Sequence, residues 1–208
     1  MRLLHFTICI GCLTAAVLTP MRVKAEASIV VSVPEQTLAV VDGGAVRERF
    51  RISTSKYGLG DKPNSYATPV GSLEIASKIG GNAPVGAVFK SRQMTGEILK
   101  PNAAGRDPIV TRILWLRGLE RGNSRAYSRN IYIHGTPVEN LIGRPVSYGC
   151  IRMRSQDVVR LFGEVRVGTK IAVLNTDLTK AVAEANLQEQ TRAVRVAAHS
   201  PRVRLAAN

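Results

Sequence analysis

Ser147-Tyr148-Gly149-Cys150-Ile151-Arg152-Met153 holds the only cysteine beyond residue 12 of this 208-residue chain. Ahead of it, Ile131-Tyr132-Ile133-His134-Gly135-Thr136-Pro137 holds the only histidine between His5 and His199. His134 and Cys150 stand 16 positions apart (150 − 134). A thiol attacks a carbonyl as its thiolate, and a free cysteine, with a pKa of roughly 8.5, is mostly protonated at neutral pH. An imidazole within hydrogen-bond reach can take that proton and later return it to a leaving amine. Cys150 therefore reads as a nucleophile and His134 as its general acid and base. Gly149 suits a tight turn, because glycine tolerates backbone angles that other residues avoid. Such a turn would aim the N–H groups of Gly149 and Cys150 at one point, where they would hold an oxyanion.

A plainer reading competes with this one. A lone cysteine in an apolar chain is usually a small buried hydrophobe, and a lone histidine is usually structural. The setting favours chemistry. Gly149-Cys150 lies between polar Ser147 and Arg152 rather than inside an apolar run, and His134-Gly135 ends a strand-like segment.

These residues carry a resemblance. His134-Gly135-Thr136 followed by Ser147-x-Gly149-Cys150-Ile151-Arg152-Met153 is similar to the signature of the L,D-transpeptidase catalytic domain, the YkuD-type domain of bacterial cell-wall enzymes. Thr68-Pro69-Val70-Gly71 resembles a second landmark of that family. The likeness runs from about Ser28 to Leu174. It implies a mainly β fold, a β-rich α+β sandwich with one short helix after the cysteine. It also implies a cysteine acyl-enzyme formed on a peptidoglycan tetrapeptide stem with release of D-alanine, then transfer to an amine acceptor. An L,D-carboxypeptidase that hydrolyses the same acyl-enzyme and a non-catalytic wall-binding module are the alternatives. In the family a backbone carbonyl commonly orients the histidine, and the carbonyl of Gly135 is the candidate. Arg152 and Ser147 are expected to bind substrate or support the turn. Tyr148 departs from the family, which often has a second histidine there.

The remaining chain fits an exported single-domain protein. Arg2, the apolar run Leu3–Leu18 and the small residues at Val23-Lys24-Ala25 read as a signal peptide over residues 1–25, with an uncleaved anchor as the alternative. Removing it would leave Cys150 as the only cysteine, with no internal disulfide. The expected location is the cell envelope, in the periplasm or otherwise outside the cytoplasmic membrane. A formal net charge of +14 and a pI of about 10.4 attract polyanions without sequence selection. No helix-turn-helix or aromatic-rich nucleic-acid motif is present, so the expected partners are stem peptides, anionic envelope polymers or lipid head groups, and not nucleic acid. Widely spaced histidines offer no metal cluster. With no phosphate-cradling glycine loop either, no cofactor is expected.

Local patterning predicts many short strands. Asp42-Gly43-Gly44 signals a hairpin, after which Arg47, Arg49 and Arg51 alternate with Val46, Phe50 and Ile52. Residues 80–108, rich in Gly, Pro and Asn, read as a lid or a disordered insertion. Ile109–Leu116 reads as a central strand, with Trp115 in the core. In Ile131–His134 the isoleucines share one face. His134 takes the other, with Tyr132 beside it to shape the pocket or pack across strands. Ser155 is expected to cap a helix that Gly163 ends. Residues 175–208 read as a basic, partly helical or disordered tail.

Overall fold

The computed structural model describes residues 27–199. The predicted signal peptide, with Cys9 and Cys12, and the basic end past residue 199 lie outside the described residues. The chain runs β1 (Ser28–Ser32), β2 (Thr37–Asp42), β3 (Ala45–Ser53), β4 (Gly71–Ile79), β5 (Ala87–Lys90), β6 (Gln93–Ile98), β7 (Ile109–Gly118), β8 (Tyr132–Gly135), β9 (Ile151–Met153), α1 (Ser155–Glu164), β10 (Lys170–Leu174) and α2 (Leu178–His199). The strands lie in the order β4-β10-β1-β2-β3-β9-β8-β7-β5-β6, and β4 also pairs with β7. That extra pairing closes the sheet on itself, so its two walls face each other across one core. This is the expected β-rich sandwich. Most neighbours are antiparallel. The pairs β1/β10 and β8/β9 are parallel.

The two faces of β1 and β2 explain their unbroken apolar sequence. Ile29, Val31, Leu38 and Val40 point into the main core with Leu114, Ile133, Ile151, Met153 and Leu161. Val30, Ala39 and Val41 point outward, where Leu178 and Ala181 of α2 cover them. Strands buried on both sides read as continuous hydrophobic runs rather than alternating ones. Residues 178–199 are thus a second, longer helix, docked by its first turns. Its N-terminus is held by Glu35 Oε1, which accepts from the Leu178 N–H at 3.1 Å. Farther along, Leu187 and Val194 are exposed. The tail reading missed this docking because the helix's apolar stripe is short and ends after two turns.

Several local expectations are corrected. Residues 80–108 are not a disordered insertion. They contain the β5–β6 hairpin, which extends the edge of β7 beyond the end of β4. Ser155 is the first residue of α1 and not its cap. The buried Ser155 N–H donates to Glu139 Oε1 at 2.8 Å, and its Oγ accepts from Thr111 Oγ1 at 2.9 Å. Helix α1 runs one residue past Gly163. The Gly43-Gly44 turn and the exposed arginines of β3 are as expected.

The fold predicts unequal costs for two leucine truncations. Leu114 is fully buried and Leu187 is 64% exposed. Leu114→Ala should lower unfolding free energy by about 2–5 kcal/mol. Leu187→Ala should change it by less than about 0.5 kcal/mol. Urea denaturation checks this, and equal losses would contradict the placement of the core.

Candidate active site

The parallel pairing of β8 with β9 builds the site. Ile133 stands level with Ile151, His134 with Arg152, and Gly135 with Met153. Successive strand residues face opposite ways. Ile131, Ile133, Ile151 and Met153 therefore enter the core, leaving Tyr132, His134 and Arg152 on the other face. Cys150, one residue before the paired stretch, shares that face and packs against the cluster that contains Tyr132. Two segments far from one another in local pattern thus place a thiol and an imidazole on one face of neighbouring strands.

The imidazole is fixed by the backbone. His134 Nδ1 lies 2.8 Å from the carbonyl oxygen of Gly135. A carbonyl only accepts, so Nδ1 carries the hydrogen and Nε2 keeps its lone pair. A side chain at Gly135 would press on the Val110 carbonyl at 2.7 Å, so glycine lets β8 lie close to β7 there. His134 is 5% exposed. Burial, opposed by the Gly135 bond, pulls its pKa down to about 4. At neutral pH it is an uncharged base.

The thiol has the complementary setting. Cys150 is partly open to solvent, yet crowding by protein pushes its pKa up to about 11, against weaker lowering by the Tyr132 backbone and by Arg152 and Arg129. Burial thus favours the neutral form of both the thiol and the imidazole. The thiol's partner is the Asn130 carbonyl at 3.5 Å. Asn130 sits at φ +57, a left-handed conformation that asparagine tolerates better than most residues.

The turn before Cys150 is locked from behind. Gly149 adopts φ +115, and a Cβ there would meet Ile131 Cδ1 at 3.1 Å and the Ala67 carbonyl at 3.2 Å. Both the angle and the close approach require glycine. Thr68 Oγ1 donates to the Gly149 carbonyl at 3.1 Å and accepts from the Ser55 N–H at 3.0 Å. The Thr-Pro-Val-Gly segment therefore clamps the turn before Cys150, a contact that sequence reading missed. Ser147 is fully buried. Its Oγ donates to the Cys150 carbonyl at 2.5 Å and accepts from the Gly149 N–H at 3.3 Å.

These contacts bear on three expectations. Ser147 supports the turn and has no exposed surface for a substrate. The Gly149 N–H, expected to face an oxyanion, is directed at Ser147. Arg152, expected either in a supporting role or against a substrate carboxylate, is already paired: its Nη1 lies 2.5 Å from Asp107 Oδ2, and Thr136 Oγ1 donates to Asp107 Oδ1 at 2.5 Å. No sequence pattern pointed to Asp107, which arrives from the loop before β7.

Tyr132 is buried, and its hydroxyl donates to Asn130 Oδ1 at 3.0 Å and accepts from Arg92 Nη1 at 3.3 Å. Trp115 is not in the main core. It stacks on Tyr127 with centroids 4.0 Å apart and meets Tyr132 edge-on at 5.8 Å. Tyr57, Tyr66 and Tyr148 form an exposed cluster, with Lys56 Nζ 4.6 Å from the Tyr148 ring centroid. Tyr148 is 53% exposed, two residues before Cys150.

The protonation states give a prediction. Alkylation of Cys150 by iodoacetamide follows the thiolate fraction. With the thiol near pKa 11, the rate should climb roughly tenfold per pH unit from pH 7 to 10. A plateau beginning below pH 9 would contradict a protonated resting thiol.

The L,D-transpeptidase catalytic domain model matches residues 26–173. Among curated proteins, Probable L,D-transpeptidase YcfS of Escherichia coli K12 is 44% identical over 61 residues, 29% of this chain and 19% of that protein. Probable L,D-transpeptidase YbiS of the same organism is 28% identical over 155 residues, 70% of this chain and 50% of that protein. The chain spans at most half the length of these two relatives. Among solved structures, an L,D-transpeptidase from Mycobacterium smegmatis is 23% identical with a TM-score of 0.44, covering 72% of this chain and 59% of that one. One from Xylanimonas cellulosilytica is 16% identical with a TM-score of 0.47, covering 74% and 62%.

Proposed function

This chain belongs to the L,D-transpeptidase catalytic domain family, and we propose that it is a peptidoglycan cross-linking enzyme working through a Cys150 acyl-enzyme. One observation carries the reading: the Gly135 carbonyl holds Nδ1–H of His134, which leaves Nε2 as the basic nitrogen of an uncharged imidazole on the strand face that Cys150 shares. The donor is a tetrapeptide stem. As the thiol sulfur approaches the carbonyl of the third residue, Nε2 of His134 takes its proton. The carbonyl oxygen gains negative charge. The Gly149 N–H serves it only by exchanging its 3.3 Å bond to Ser147. The imidazolium then protonates the departing amine of D-alanine, leaving a thioester on Cys150. An amine on a neighbouring stem loses a proton to His134, attacks the thioester and frees the thiol.

The electrostatics suit this order of events. A thiol near pKa 11 needs a base at the moment of attack. A histidine near pKa 4 is free of protons at neutral pH and gives one up readily once charged. Arg152 lies near both groups on the same face, and its pairing with Asp107 offsets its charge there. We place the protein in the cell envelope, where its basic surface meets anionic polymers.

An intact-mass time course with a disaccharide-tetrapeptide muropeptide tests the proposal. The wild type should show a transient adduct, released D-alanine and a cross-linked dimer. Cys150→Ala should show none of these. His134→Ala should acylate roughly 10²–10⁴-fold more slowly, the usual worth of a positioned base. Adduct on Cys150→Ala, or a near-normal rate in His134→Ala, would overturn the assignment. Tripeptide without dimer would replace transfer by hydrolysis.

A further inference from the structure

A tetrapeptide donor ends in a free α-carboxylate one residue beyond the carbonyl that Cys150 attacks, roughly 3.8 Å from Cα to Cα. A carboxylate brought into a partly buried site needs a hydrogen-bonding cation. Two arginines, Arg152 and Arg129, act on the thiol, and a third, Arg92, bonds Asn130, the residue that accepts from the thiol. Arg152 is neutralised by Asp107. Arg129 is neutralised by Asp61 at 2.8 Å, and it also donates to the carbonyls of Gly60 and Ala67. Arg92 is held differently. Its Nη1 donates to Asn130 Oδ1 at 3.2 Å and to Tyr132 Oη at 3.3 Å, and its guanidinium lies 4.5 Å from the Trp115 ring centroid. All three partners are neutral, and among the described residues no carboxylate forms an ion pair with it.

The location is as telling as the pairing. Asn130 accepts from Arg92 through its side chain and from the Cys150 thiol through its carbonyl. Guanidinium and thiol therefore flank a single residue. Trp115 lies flat on Tyr127 and edge-on to Tyr132, so the cation rests on a fixed aromatic shelf. The hairpin that delivers it is strained at its tip. Ser91 and Arg92, the two turn residues, sit at φ +50 and φ +68. Asn-Gly serves such turns without that strain, and backbone strain of this kind clusters where a side chain is needed in one place.

We propose that Arg92 binds the C-terminal α-carboxylate of the donor and so selects peptides that end one residue past the reacting carbonyl. The identity of the donor rests on the stem-peptide reading above; the anion site beside Cys150 does not. Arg152 cannot take this part while Asp107 holds it.

Two alkylating agents test the site without any peptide. Iodoacetamide and iodoacetate both lose iodide to the thiolate and leave a thioether, but only iodoacetate carries a carboxylate. The ratio of iodoacetate to iodoacetamide rates should fall roughly ten- to hundredfold in Arg92→Gln, the worth of a hydrogen-bonded charge pair. Arg92→Lys should lie between. An unchanged ratio in Arg92→Gln overturns the proposal. A measurement on the wild type alone guards against a misfolded variant: acetyl-D-alanine should slow iodoacetamide alkylation and acetyl-D-alaninamide should not. Equal effects of the two would overturn it. With peptides, the wild type should cleave the tetrapeptide acid at least roughly tenfold faster than its C-terminal amide, and Arg92→Gln should lose that preference. If the wild type cleaves neither peptide, the transpeptidase reading fails, while the alkylation ratio still decides Arg92.

Discussion

The parallel pairing of β8 with β9 is the constraint on which the site depends. Parallel neighbours require the chain to travel back before the second strand begins. The segment from Thr136 to Cys150 makes that return, and it brings Cys150 to the level of Tyr132, on the face that His134 also takes. The core side of the same pair sets the register. Ile133, Ile151 and Met153 are fully buried, and a slip of one residue would carry them out and drive His134 in. Hydrophobic burial on one side thus fixes chemical placement on the other. The Thr68 clamp on the Gly149 carbonyl then holds the turn that leads into β9.

Burial also sets the charge state. It moves the pKa values of Cys150 and His134 in opposite directions, because it disfavours the charged form of each. The cysteine is held as thiol and the histidine as free base. An aspartate to orient the imidazole is unnecessary, since a main-chain carbonyl performs that task at 2.8 Å without adding a charge. The nearby charged groups are instead tied to one another, Arg152 to Asp107 and Arg129 to Asp61. Arg92 stands outside that arrangement on its aromatic shelf.

Much of this was legible in the sequence, and the reasons are specific. Alternation in Ile131–His134 assigned His134 to the face away from the isoleucines, because a strand buried on one side shows its period. The Gly43-Gly44 hairpin was readable because both residues take positive φ. What stayed hidden depends on contacts between distant segments. Asp107, Thr68 and Arg92 reach the site from separate loops and turns, and no local period marks a residue whose partner lies 40 positions or more away (132 − 92). Trp115 followed the same rule. Its strand is apolar on both faces, so sequence could not tell the main core from the aromatic shelf on the outer face. Ser147 and Arg152 were recognisable as parts of a motif, yet their hydrogen bonds inside the protein decide what they can touch.

The most direct test is nitrogen NMR of the His134 ring in the substrate-free protein. The account predicts a neutral ring protonated on Nδ1 at pH 7, which gains its second proton only near pH 4. A ring protonated on Nε2 alone, or already an imidazolium at pH 7, would contradict the claim that Gly135 and burial hold this histidine ready as a base.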